Sequence, residues 1–144
     1  MKAGYPMWWD TTITLYNNYK DPTTQEEIWY RTVLTDCFWK NVGNQVIVGN
    51  ETLEGESVIC RIPVDDNYVP KNEWNGLKDK TGKFTISTND IIVVGEVDDE
   101  INEYTSGVRS TDLLNKYNGM CMKISNMSIN TYTGANNPHY AVRG

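Results

Sequence analysis

The sequence predicts a mainly β domain, a small β-barrel or sandwich with one short helix, a long inserted loop and extended termini. Three observations carry that reading. Asn, Thr, Gly and Tyr are abundant where Ala and Leu are few, a balance that withholds the best helix formers and favours strands joined by turns. Short apolar or alternating runs recur along the chain, each bounded by Gly, Pro, Asn or Asp. At 144 residues the chain is long enough to bury one core without crosslinks and too short for two.

An aromatic arm, residues 1–12, leads into the first predicted strand, Ile13–Tyr16, where apolar and polar side chains alternate. Ile28–Leu34 and Cys37–Trp39 are rich in β-branched and aromatic residues, and Gln45–Val48 lies between the turn signals Gly43-Asn44 and Gly49-Asn50. Val58–Ile62 stops at Pro63, which has no N–H to give a ladder. The connection Pro63–Lys83 is longer than compact domains carry without a purpose, and its Tyr68, Val69, Trp74 and Leu77 favour packing, which points to a binding or gating loop. Phe84–Ile86 and Ile91–Val97 are the next strands. The one helix spans Thr111–Tyr117, with Ser110 or Thr111 to cap it, Asp112 in its first turn and Asn118-Gly119 to end it. In Met120–Ile129 the apolar alternation of Met120, Met122 and Ile124 resumes out of phase at Met127 and Ile129, the pattern of a strand with a bulge near Ser125-Asn126. A turn-rich bridge, Thr131–Pro138, leads to the last strand, Tyr140–Val142.

The chemistry of the side chains argues for assembly over catalysis. A formal charge of -6 disfavours general nucleic-acid binding, which depends on clustered Lys and Arg. Cys37, Cys60 and Cys121 are odd in number, widely spaced and set within strands, so they read as buried thiols and not as a disulfide framework or zinc site. The only histidine, His139, follows Pro138 in what reads as an exposed loop and has no evident nucleophile to serve. Asp65-Asp66 and Asp98-Asp99-Glu100 lack the alternating ligand spacing of a calcium loop, and no glycine-rich segment leads into a helix as a phosphate cradle does. No metal, cofactor or catalytic residue is expected, and no apolar run approaches the length of a signal peptide or membrane span.

Five tryptophans are more than such a core needs. Trp29 and Trp39 fit the core, whereas Trp8 and Trp9 in the arm, with Tyr68 and Trp74 in the long loop, are candidate partner anchors. The same loop carries Asp65, Asp66, Lys71, Glu73, Lys78, Asp79 and Lys80, a charged set suited to a channel lumen or an adjoining surface.

Four segments carry a resemblance: Trp9-Asp10-Thr11-Thr12-Ile13-Thr14-Leu15-Tyr16-Asn17; Trp29-Tyr30-Arg31-Thr32-Val33-Leu34 with Cys37-Phe38-Trp39; Ser57-Val58-Ile59-Cys60-Arg61-Ile62-Pro63; and Asn89-Asp90-Ile91-Ile92-Val93-Val94-Gly95-Glu96-Val97. In this order they resemble the small neck proteins, called minor capsid or head-closure (stopper) proteins, of tailed phages of Gram-positive bacteria. The resemblance implies a single head-closure-like domain over 1–144, with 102–144 as a family-specific C-terminal extension. It also implies a homohexameric ring seated between a portal-bound adaptor and the tail terminator or first tail ring. Such a protein is synthesised in the host cytoplasm, resides in the virion neck and touches no membrane. Double-stranded DNA passes through it without specific contact, retained until ejection by a loop for which Pro63–Lys83 is suitably placed. An acidic ring would repel DNA and keep it sliding. Two other readings stand beside it: another neck protein such as a tail terminator or adaptor, and an unrelated small β-barrel binding module or enzyme.

Overall fold

The computed structural model describes residues 4–41, 45–48, 51–54, 58–103, 108–131 and 137–144. The expected turns at residues 42–44 and 49–50, and most of the Thr131–Pro138 bridge, lie outside them. Among the described residues nine strands and two short helices follow in the order β1 (Thr11–Lys20), β2 (Glu27–Asn41), β3 (Gln45–Val48), β4 (Glu51–Glu54), β5 (Val58–Pro63), α1 (Lys71–Asn75), β6 (Ile91–Val94), α2 (Ser110–Lys116), β7 (Cys121–Lys123), β8 (Asn126–Asn130) and β9 (His139–Arg143). Seven of the strands form one antiparallel sheet in the order β7-β6-β1-β2-β5-β9-β8. The fold is mainly β, as the composition predicts.

Two corners fold this sheet over itself. The segments expected as separate strands, Ile28–Leu34 and Cys37–Trp39, are one strand, β2. Its first part pairs with β1 and its last residues, Phe38–Asn41, pair with β5. Between Thr11 opposite Cys37 and Ile13 opposite Leu34 the register shifts, so Thr35 and Asp36 face the single residue Thr12. Asp36 takes a positive φ of 59° there, and such an extra residue bends a strand. The second corner is Ile124-Ser125, where one chain segment leaves β6 as β7 and joins β9 as β8. The sequence places that break one residue later. Because β7 and β8 are successive pieces of one segment and do not pair with each other, the sheet is not a closed barrel.

The main core fills the space between the two halves of the bent sheet. Ile13, Leu15, Leu34, Ile92 and Met122 meet Cys60, Ile62, Tyr140 and Val142, with Phe84 and Ile86 among them. A second cluster forms on the outer face of the first half, where Tyr16, Ile91 and Val93 are covered by Ile101 and Leu113 of α2. β1 and β6 are therefore buried on both faces, which explains the unbroken apolar run Ile91-Ile92-Val93. Residues 102–144, expected as an extension, contribute β7, β8, β9 and α2 and carry buried Leu113, Met122, Tyr140 and Val142.

Three local expectations change. Phe84–Ile86 is buried but is not one of the strands of the sheet; Phe84 forms an isolated bridge with Tyr68 of the long loop. β6 ends at Val94, because Gly95 turns the chain at φ 92° and donates its N–H to the Thr12 carbonyl at 2.7 Å. The start of α2 is satisfied by acids and not by Ser110 or Thr111: Asp112 accepts the Arg109 N–H at 3.1 Å and Glu103 accepts the Ser110 N–H at 3.0 Å. The helix ends at Lys116, one residue before the expected Tyr117, which is its C-cap, and Gly119 takes φ 87° in the turn that follows.

Candidate functional site

The long loop does not stand away from the body. By strand alternation Asn17, Tyr19 and Tyr30 share the inner face with Ile13 and Leu15, beyond the reach of the main core. The Pro63–Lys83 segment roofs that end of the face. α1, the second helix, which the sequence did not announce, drives Trp74 into it edge-on to Tyr19 and Tyr30, at 5.9 and 5.5 Å between ring centres. Trp74 is 0% exposed. The Lys80 ammonium sits 4.1 Å from the Tyr19 ring centre, 5.3 Å from Trp74 and 5.9 Å from Tyr30, and donates to the Leu77 carbonyl at 2.8 Å. Three rings thus replace much of the hydration that a buried ammonium loses. Lys71 reaches the Asn18 carbonyl at 2.6 Å and lies 4.8 Å from Trp74. Burial pulls its pKa down, Asp90 pulls it up and Lys80 lowers it further.

Beneath the roof lies a buried polar knot. Asp90 Oδ2 accepts from Asn17 Nδ2 at 2.9 Å and from the Ser87 N–H and Oγ, both at 3.0 Å, while Oδ1 accepts the Asn18 N–H at 2.9 Å. Asn17 also clasps the Thr85 backbone, donating to its carbonyl at 2.6 Å and accepting its N–H at 3.3 Å. Burial pushes the Asp90 carboxyl above its ordinary value, against the pull of these hydrogen bonds and of Lys71. The alternation of the sequence hides this group, because Asp90 reads as a turn residue ahead of a strand.

Beside the roof, on the outer face of the sheet, a cleft of about 570 Å³ opens between Trp29, Lys71, Asn89, Ile91, Leu114 and Lys123. The Trp29 Nε1–H at its wall is buried and has no hydrogen-bond partner among the described residues.

The predicted anchors separate sharply. Trp8 is 68% exposed, next to exposed Met7, and is the one candidate anchor at the surface. Trp9 is 3% exposed, packed against Tyr5, Phe38 and His139 at 5.3, 6.2 and 5.5 Å. Tyr5 fixes the arm by donating to the Pro138 carbonyl. Tyr68 is half-buried and stacks on Tyr140 at 4.3 Å. Trp9 and Trp74 are therefore core residues. Of the charged loop residues, Asp66, Glu73, Lys78 and Asp79 are exposed, Asp65 and Lys71 are half-buried and Lys80 is buried. Asp65 and Asp79 close local turns by accepting the N–H of Asn67 and Thr81 at 2.8 and 2.9 Å, and the Thr81 bond holds Asp79 below the usual carboxylate range.

These positions predict a split between adjacent residues. Trp9→Ala is expected to cost about 3 kcal/mol or more of folding stability through the cavity it leaves, and Trp8→Ala less than about 0.5 kcal/mol. Denaturant midpoints of the two variants check this, and equal losses would contradict the placement of Trp8.

His139 begins β9 instead of lying in a loop. Its Nδ1 bonds the Asn137 carbonyl at 2.7 Å and its Nε2 meets Asn130 Nδ2 at 3.3 Å. Cys37, Cys60 and Cys121 all lie in strands, the first two buried and the third half-buried. Burial pushes the Cys60 and Cys121 thiols up, away from the reactive thiolate. Among the described residues no three His, Cys, Asp or Glu side chains converge to hold a metal ion, and no helix is long and apolar enough to cross a membrane.

No curated protein and no solved structure matches the chain. A family model matches residues 8–144, from the exposed Trp8 through α2 to the end of β9 and Gly144, and the chain belongs to that family, a family of unknown function (DUF6751).

Proposed function

We propose that this protein is a structural component of the neck of a tailed phage, a head-closure ring subunit that joins the portal-bound adaptor to the tail and retains packaged DNA, and that it is not an enzyme. The observation that carries the reading is where the four resembling segments fall. They form or flank β1, β2, β5 and β6, which stand side by side as β6-β1-β2-β5 in the middle of the sheet. The likeness thus follows one contiguous piece of architecture instead of scattered surface positions.

The folded loop modifies the gating part of the proposal. Its aromatic underside is committed to Tyr19 and Tyr30, so the surface left to face a channel or an adjoining ring is the outer one, with Asp66, Glu73, Lys78 and Asp79. A Gly-Ser replacement of residues 67–80 would therefore remove Trp74 and Lys80 from the core and does not isolate gating. Changing the exposed charges does: Glu73→Gln with Asp79→Asn leaves the roof intact.

The reading is tested by mixing the purified protein with the products of the genes flanking its own and measuring particle mass by light scattering. A ring of six copies bound to an adaptor or terminator complex is expected. A monomer that ignores every neighbouring product would overturn the proposal.

A further inference from the structure

The free edge of the sheet at β8 has unusual properties for an acidic protein. Exposed edges are ordinarily guarded by lysine, proline or inward-pointing charge, because their unpaired N–H and C=O groups are templates for another strand. β8 reads Asn126-Met127-Ser128-Ile129-Asn130 and has none of these guards. Among the described residues it pairs with β9 on one side only and ends the strand order.

Its side chains are incompletely covered. Met127 and Ile129 lie opposite Val142 and Tyr140, on the face that closes the main core. Met127 is half-buried there, while Ile129, at the rim, remains 54% exposed. Asn126, Ser128 and Asn130 take the other face, with Asn126 and Ser128 exposed.

The strand is also nearly palindromic. Set antiparallel to a copy of itself about Ser128, it places Ser128 opposite Ser128, Met127 opposite Ile129, and Asn126 opposite Asn130. A two-fold axis normal to the sheet keeps the core-facing sides of both copies together, so each exposed Ile129 gains a methionine neighbour and the polar row meets a polar row. Charge permits the contact at this place. All 19 acidic residues precede Leu113, and the remainder of the chain holds only Lys116, Lys123 and Arg143 as Lys or Arg. Two copies of a chain of charge -6 thus meet through a stretch of sequence that carries no Asp or Glu side chain.

We propose that the β8 edge is a homodimerisation site, pairing antiparallel with β8 of a second copy to continue the sheet across a two-fold axis. A five-residue contact is small, so the dimer is weak and concentration-dependent. The contact goes beyond the neck reading and stands apart from it, because a two-fold pairing does not close a six-fold ring.

The test uses the full chain and sedimentation equilibrium. Ser128 is exposed and faces its own copy, so Ser128→Lys and Ser128→Glu each set like charges directly opposite without touching the core. Wild type is expected to show a monomer–dimer equilibrium. Each variant alone is expected to weaken it about tenfold or more, with an unchanged thermal midpoint, and an equimolar mixture of the two is expected to regain dimer. A monomeric wild type, a dimer indifferent to both charges, or a mixture that does not recover would overturn the pairing. A larger assembly insensitive to Ser128 would overturn it too, by placing self-association elsewhere.

Discussion

Asp90→Ala is expected to destabilise the fold by about 3 to 5 kcal/mol, the cost of breaking a buried, hydrogen-bonded charge arrangement from one side. Removing the carboxylate strips the acceptor from the Asn18 and Ser87 N–H groups and from Asn17 Nδ2, and buried donors left unpaired each carry a desolvation penalty. The effect should be shared with Asn17. A double-mutant cycle of Asp90→Ala and Asn17→Ala, read by denaturant unfolding, is expected to give strongly non-additive losses. Additive losses would mean that the two groups hold different parts of the fold.

The same carboxyl predicts a pH dependence. Its folded-state pKa is raised, chiefly by burial, so between the ordinary carboxylate pKa and the raised value the folded state holds more proton than the unfolded one. Stability contributed by Asp90 is then highest at low pH and falls as pH rises through that window. Wild-type stability should decline relative to that of Asp90→Asn across the window. A difference between the two that is flat in pH would contradict it.

Trp74→Ala is the second large effect, expected to cost about 3 to 5 kcal/mol for a fully buried indole. The loss has two parts. One is the cavity under α1, and the other is the cation–π support of Lys80 and Lys71, a contact worth about 2 kcal/mol when desolvated. Lys80→Met, which keeps the stem and removes the charge, separates them: it should cost less than Trp74→Ala, and in the Trp74→Ala background it should cost little more. A surface-loop reading of Pro63–Lys83 predicts near-zero effects for all three, so the measurement decides between roof and free loop.

How much of this was legible in the sequence depends on the range of the interaction. β1, β5 and α2 follow from local alternation, turn residues and helix-end signals, and each lies within a few residues of its expected limits. The phase change between Ile124 and Met127 located a real corner, because a strand that leaves one half of the sheet for the other must change which side chains face the core. What local pattern cannot show is which face a loop will cover. Tyr19 and Tyr30 lie inward by the same alternation as Ile13 and Leu15, and two inward aromatics past the end of the core needed a cover. That was the available signal for Trp74. By its place near the terminus Trp9 reads as a partner anchor, although Tyr5, Phe38 and His139 enclose it. Asp90 was invisible as a core group because its partners Asn17 and Asn18 lie more than 70 residues away in the chain.

The protein's place in a particle is the claim on which the functional account rests. The direct measurement is cryo-electron microscopy of the neck of a phage that carries this gene, with the particle's proteins identified by mass spectrometry. The account predicts the protein among the virion proteins and a ring of this bent β sheet between the portal-bound adaptor and the tail. Particles that lack the protein, or a neck whose rings are all built from other chains, would contradict it.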